Sequence, residues 1–204
     1  MFGKVGKIGT RNNAHRKFAI ALLLPLETPG FCERIGEDFL SEENFMSIDI
    51  DYINPVIIGL ENVFSTMLNC KVERIGLGLM ENSQALHPVS GIIGVSGKGV
   101  GTIVLSMERA VAIKVAEVML MMDNITEINN DVLDAVGEIT NMVCGDAKAK
   151  LAQYQLSISL PNILHGEGCW LHFPQKTHPI SIPFKCDWGL LALQIGFTFS
   201  AVKK

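Results

Sequence analysis

The sequence predicts an α+β domain on a helix–βββ plan used twice, with a six-stranded sheet and long helices packed on one face. Three observations lead there. Runs of alternating hydrophobicity such as Ser181-Ile-Pro-Phe184 and Leu191-Ala-Leu-Gln-Ile195 have the period-two pattern of half-buried strands. Between the groups of strands lie longer stretches with helical patterning, the clearest running from Asp131 to Gln153. The chain, 204 residues and 48% hydrophobic, is long enough for one domain of roughly 150 residues with a full core, plus an extension.

In chain order, the first half opens with a helix from about Tyr52 to Leu68, followed by strands near Val72–Met80, Val89–Ser96 and Thr102–Met107. Gly94-Val-Ser-Gly97-Lys98-Gly99-Val-Gly101 imitates a phosphate cradle, but its spacing fails the nucleotide-loop pattern and no helix follows. It reads as a glycine-rich hairpin turn. A second helical run, Glu108–Met122, joins the halves, with Met119, Met121 and Met122 as core or interface filling. The loop from Asn124 to Asn130 can then cap the Asp131–Gln153 helix. Strands near Leu156–Leu164, Ile180–Cys186 and Leu190–Phe199 complete the plan. A pseudo-twofold relation would follow, although identity between the halves is too low to prove it.

Residues 1–45 are expected to be an extension, poorly ordered, ahead of a domain spanning 46–204. Lys4, Lys7, Arg11, Arg16 and Lys17 precede the apolar run Phe18–Leu26, which imitates a secretory signal but lacks a small-x-small cleavage site. Met46 is an alternative start. No apolar run approaches the ~20 residues of a membrane span. Without residues 1–45, 11 Lys/Arg face 15 Asp/Glu, so the domain is acidic and a nucleic-acid surface is not expected. Five scattered cysteines with no CxxC point to a reducing cytoplasm. His165, Cys169 and His172 lack a fourth ligand at suitable spacing, so no metal is expected there. Cys144 has no nearby histidine to activate it and reads as a structural thiol.

The chemistry is concentrated in Asp134-Ala-Val-Gly-Glu138-Ile-Thr-Asn141-Met-Val-Cys-Gly145. At about 100° per residue, Asp134, Glu138, Asn141, Gly145 and Lys148 share one stripe roughly 80° wide. Leu133, Val136, Ile139, Thr140, Val143, Ala147 and Leu151 form the opposite, buried arc. An Asn and two glycines inside a helix each cost several tenths to about 1 kcal/mol relative to Ala. Side chains three or four apart are neighbours, so Glu138 and Asn141 can act together on a docked object. A carboxamide is no general base, but it can hold a water in line with an electrophile. Glu138 can serve as a base or as an anchor for a partner's cation.

Asp134-xxx-Glu138-xx-Asn141 with Gly145 resembles the signature of the CheC/CheX/FliY phosphatase family of bacterial chemotaxis. Asp51-Tyr-Ile-Asn-Pro55, Val89–Gly97, Ser159-Leu-Pro161 and Pro179–Phe184 also look CheX-like, so the resemblance covers roughly residues 46–200. It implies a phosphatase acting on a phosphorylated CheY-like receiver. Asn141 would orient the attacking water, and Glu138 would pair with the receiver's lysine. Asp134, Gly145 and Lys148 would contact the partner. Mg2+ would sit on the receiver, with no cofactor held by this chain. In the first helix, Phe64 stands where a second ExxN after Glu61 would need Asn, so one half alone is armed, as in CheX. The alternative is a receiver-binding module without catalysis. A homodimer by edge-to-edge sheet pairing is also expected, with Ile92–Val95 and Ile180–Phe184 as candidate edges.

Overall fold

The structure is a computed structural model that describes residues 50–80, 84–175 and 177–199. The expected extension over residues 1–45 lies outside the described residues, as does Met46. Helix α1 (Ile50–Leu68) comes first. It ends at Asn69, whose left-handed backbone turns the Cys70 N–H onto the Phe64 carbonyl at 3.0 Å. Two short strands follow, β1 (Glu73–Arg74) and β2 (Gly78–Leu79), then the long hairpin β3 (Val89–Ser96) and β4 (Gly99–Met107). The hairpin turns at Gly97, where φ is 118°, so this glycine-rich stretch is a turn as expected. Helices α2 (Arg109–Leu120) and α3 (Asn130–Lys150) lead into β5 (Ser157–Ile158) and β6 (Asn162–His165). A second hairpin, β7 (Ile180–Cys186) and β8 (Gly189–Phe199), closes the described chain.

All the strand pairings described are antiparallel. The four long strands lie in the order β7-β8-β4-β3. β1 and β2 both line the outside of β7, while β5 and β6 both line the outside of β3. The sheet therefore has eight strands where six were expected, because each of the two outer positions is filled by a broken pair. Exchanging the two halves of the chain leaves this order unchanged.

Both breaks have the same geometry. Arg74 pairs with Phe184 and Gly78 with Ser181, so three residues of the outer strand face two of β7. Ile158 pairs with Val95 and Asn162 with Ile92, so three residues again face two, this time of β3. Each outer strand thus carries a one-residue bulge. Proline accounts for the positions: Pro183 in β7 and Pro161 in the second outer strand have no N–H to give a ladder.

This overturns the expected edges. Ile92–Val95 and Ile180–Phe184 lie in β3 and β7, each flanked on both sides. The true edges are the short bulged strands, a form that discourages further pairing.

The helices cover one face of the sheet. Val56, Leu60 and Phe64 of α1 and Val136, Ile139 and Val143 of α3 share one buried cluster with Ile93, Leu105, Ile182 and Leu193. Met119 packs against this cluster, but Met121 is 94% exposed and Met122 is also exposed, so neither fills the core. The opposite face holds a smaller cluster of Val104, Leu171 and Phe173. There buried Gln194 accepts from the Leu86 N–H at 3.3 Å and donates to the Gln84 carbonyl at 2.8 Å, pinning that loop to the sheet.

Two glycines set how deeply α3 sits. A Cβ on Gly91 of β3 would stand 2.1 Å from Thr140 Oγ1, and one on Gly59 of α1 would stand 2.8 Å from the Val143 carbonyl oxygen. Neither position has room for a methyl group. Gly91→Ala should lower stability by about 1–3 kcal/mol, the usual penalty of overpacking, in a urea titration. Gly94→Ala in the same strand is the control, since its Cβ would meet Ser159 Oγ at an ordinary 3.6 Å.

Candidate functional site

Helix α3 begins as the sequence suggests. Asn129 is extended, and its side-chain oxygen accepts from the Val132 N–H at 3.0 Å, the capping bond of an N-cap. Asp131 in the first turn and Lys148 and Lys150 in the last complement the helix dipole. Val132, Val136, Ile139, Thr140, Val143 and Ala147 are buried, and Leu133 is half-buried against the core. Thr140, the buried hydroxyl of this arc, donates to the Val136 carbonyl at 2.6 Å.

The polar stripe therefore points outward. Asp134, Glu138 and Lys148 are exposed, while Asn141 and Gly145 are half-buried. Among the described residues, none of the side chains of Asp134, Glu138, Asn141 and Lys148 forms a hydrogen bond or ion pair. Nearby Asp146 and Lys150 pair with each other instead. Glu138 and Asn141, one turn apart on a helix anchored from behind, are thus free to engage something docked on them.

α1 carries no equivalent. Phe64, three residues after Glu61, is fully buried, so that position points into the core and not along an exposed stripe. The absence of a second motif is a matter of helix orientation as well as of residue type.

A shallow cleft of about 530 Å³ flanks the C-terminal half of the stripe, lined by Gly145, Lys148, Ala149, Ala152, Gln155, Leu156 and Ile158. Further up, a Cβ on Gly137 would meet Ile163 Cδ1 at 3.5 Å and Pro161 Cγ at 3.6 Å. The segment from Leu156 to Ile163 accordingly runs beside α3 in the opposite direction. Sequence reasoning took this segment for a continuous strand and missed it as a wall of the site. Pro161 was the one signal of an interruption.

Cys144 is buried, and burial pushes its thiol up to about 12 from an ordinary 9.0, which suits a structural role. His165, Cys169 and His172 form no metal-binding group, and among the described residues no cluster of three such side chains could hold an ion. No helix among them is long and apolar enough to cross a membrane.

Nothing lies within 4 Å of where a Cβ on Gly145 would stand, so the protein's own packing does not require glycine there. Gly145→Ala should therefore raise stability by up to about 1 kcal/mol, the difference in helix propensity. Gly59→Ala, blocked by the Val143 carbonyl, should lower it. Thermal unfolding of the two variants against the parent checks both signs.

Residues 89–185 match the family model described as chemotaxis phosphatase CheX. A CheC-like superfamily protein from Shewanella sp. PV-4 aligns with a TM-score of 0.67 at 28% identity, over 74% of this chain and 99% of that one. A chemotaxis protein CheX from Desulfovibrio desulfuricans aligns with a TM-score of 0.65 at 30% identity, again over 74% and 99%. At 22% identity, the CheX of a CheX–CheY–BeF3–Mg2+ complex from Borrelia burgdorferi shares the fold, with a TM-score of 0.61 over 73% and 99%. Comparison with curated proteins yields no match.

Proposed function

The chain belongs to the CheX family of chemotaxis phosphatases, and on that footing we propose that it dephosphorylates a phospho-aspartyl, CheY-like receiver in the cytoplasm. One observation carries the reading: Glu138 and Asn141 stand one turn apart, directed to solvent and unpaired among the described residues, on a helix whose other side is locked into the core. A pocket is not required for such chemistry. Phosphoryl transfer depends mostly on positioning and charge neutralisation, and a receiver can bring its own metal and lysine. The fold-level neighbour in complex with CheY supports a receiver as the kind of partner.

In this reading Asn141 enters the receiver's site and holds a water through both the donor and the acceptor of its carboxamide. That water attacks phosphorus in line. The new P–O bond forms as the bond to the aspartyl oxygen breaks, releasing the aspartate carboxylate and inorganic phosphate, which takes up the proton. Glu138 pairs with the receiver's lysine and fixes the register of docking. Asp134, Gly145 and Lys148 border the contact. Mg2+ held by the receiver neutralises charge on the phosphoryl group, and this chain contributes no cofactor.

The test follows decay of a phosphorylated receiver with and without the purified protein. Asn141→Ala should lower the rate about a hundredfold or more, the scale of removing one preorganised polar group, while affinity survives. Glu138→Ala should weaken binding as well as turnover, because it strands the receiver's cation. Unchanged decay across the receivers of the same organism sinks the reading. Equal rates for the parent and Asn141→Ala, with affinity retained, would leave a binding module only.

A homodimer completes the proposal, since one armed stripe per chain becomes two in a symmetric pair. The side of the sheet away from the stripe exposes Ile75 and Leu79, and because β1–β2 is a bulged edge poorly suited to ladder pairing, the contact proposed there is between apolar side chains. Sedimentation at micromolar concentration should give twice the 22.3 kDa chain mass, and Ile75→Lys with Leu79→Lys should return it to monomer. A parent that stays monomeric as concentration rises removes the dimer and leaves the catalytic reading standing.

A further inference from the structure

We propose that the bulged segment Ser159–Pro161 is the second half of the docking surface for the phosphorylated receiver, with Leu160 as its apolar anchor. The inference rests on the phosphatase reading for the identity of the partner and on this structure for the surface.

The register locates the bulge. With Ile158 opposite Val95 and Asn162 opposite Ile92, the outer strand holds one residue more than β3 between the paired positions. Ser159 is not that residue: its N–H donates to the Gly94 carbonyl at 2.9 Å, and its Oγ accepts from the Gly94 N–H at 3.0 Å. The same hydroxyl donates to the Leu160 carbonyl at 2.8 Å. Pro161 lies against Gly137 of α3. Leu160 is held between these two fixed points, and it is 84% exposed. A bulge re-aims a side chain away from the regular strand, and here the side chain it frees is a leucine.

The position of this leucine gives it a partner. On α3, Gly137 lies between Asp134 and Asn141, three residues after one and four before the other. Pro161 seats against that gap, so the bulge borders the stripe at its Glu138–Asn141 section. The stripe and the segment run side by side, so one docked object can span both. This continuity favours the receiver as the occupant. Ordering Leu160 also costs little backbone entropy, because the flanking residues are already tied down. The other outer strand carries the same one-residue break, but its neighbour α1 presents no stripe.

Leu160→Ser and Leu160→Asp test the assignment. The receiver held in its phosphoryl form by BeF3– and Mg2+ serves as the binding probe, and the phosphorylated receiver as the substrate. Both variants should raise Kd and KM about tenfold, the scale of losing one buried leucine at an interface, with kcat at saturation within about twofold of the parent. Their unfolding midpoints should match the parent's, since the side chain is exposed in the free protein. Unchanged Kd and KM in both variants overturn the proposal, as does a loss of kcat at unchanged Kd. A shift from dimer to monomer with unchanged Kd assigns the leucine to a second copy of the chain and also overturns it. If the parent fails to turn over the receiver yet binds the BeF3– form through Leu160, the docking surface stands and the phosphatase reading falls.

Discussion

The close seating of α3 against two glycines is the constraint on which the rest of the molecule depends. Thr140 presses onto β3 where Gly91 has no side chain, and the Val143 carbonyl meets α1 where Gly59 has none. These contacts come from two different elements, so together they set both the depth and the rotation of the helix. Rotation matters because each residue turns the helix by about 100°. A displacement of one position would carry Asn141 into the buried place of Thr140 in one sense, or Thr140 into the outward place of Asn141 in the other. Close packing on one side thus decides what the other side displays, and interiors packed to crystal density resist such a slip.

What α3 displays is polar chemistry that the protein does not use for its own stability. Exposed Glu138 and half-buried Asn141 make no internal bond among the described residues. Asp146 and Lys150, on the same helix, are spent on one another. The two glycines flanking the pair are not demanded by tight internal contacts either: Gly145 faces open space, and Gly137 touches its neighbours at ordinary distances. A helix weakened by residues its own fold does not need is what a surface shaped for a partner looks like. Under the proposed function, that partner is a phosphorylated receiver.

The same region shows how an open sheet deals with its edges. Pro183 of β7 and Pro161 of the second outer strand each remove a ladder donor at a break, one on the inner and one on the outer side of it, and each outer strand falls into short pieces around a bulge. Short, bulged edges resist unwanted pairing. On the β3 side the break does something more, because it swings a segment beside α3 and leaves an apolar side chain at the rim of the polar stripe. On the β7 side the same device lies next to a helix whose corresponding residue, Phe64, is committed to the core.

Much of this was legible in the chain itself. The stripe of Asp134, Glu138, Asn141, Gly145 and Lys148, the buried arc behind it and a cap from the Asn124–Asn130 loop follow from local periodicity and local hydrogen bonding. So do the four long strands. These features need only residues a few positions apart, which is why the sequence by itself determined them. The tertiary structure decided the rest: which strands are edges, where the outer strands break, that Phe64 is core while Met121 is surface, and that Pro161 seats against Gly137 with Leu160 exposed next to it. Each of those depends on pairing between distant parts of the chain, such as Arg74 with Phe184 or Ile158 with Val95. An alternating run reads alike at the centre of a sheet and at its edge, and only the neighbour it meets in space settles which it becomes.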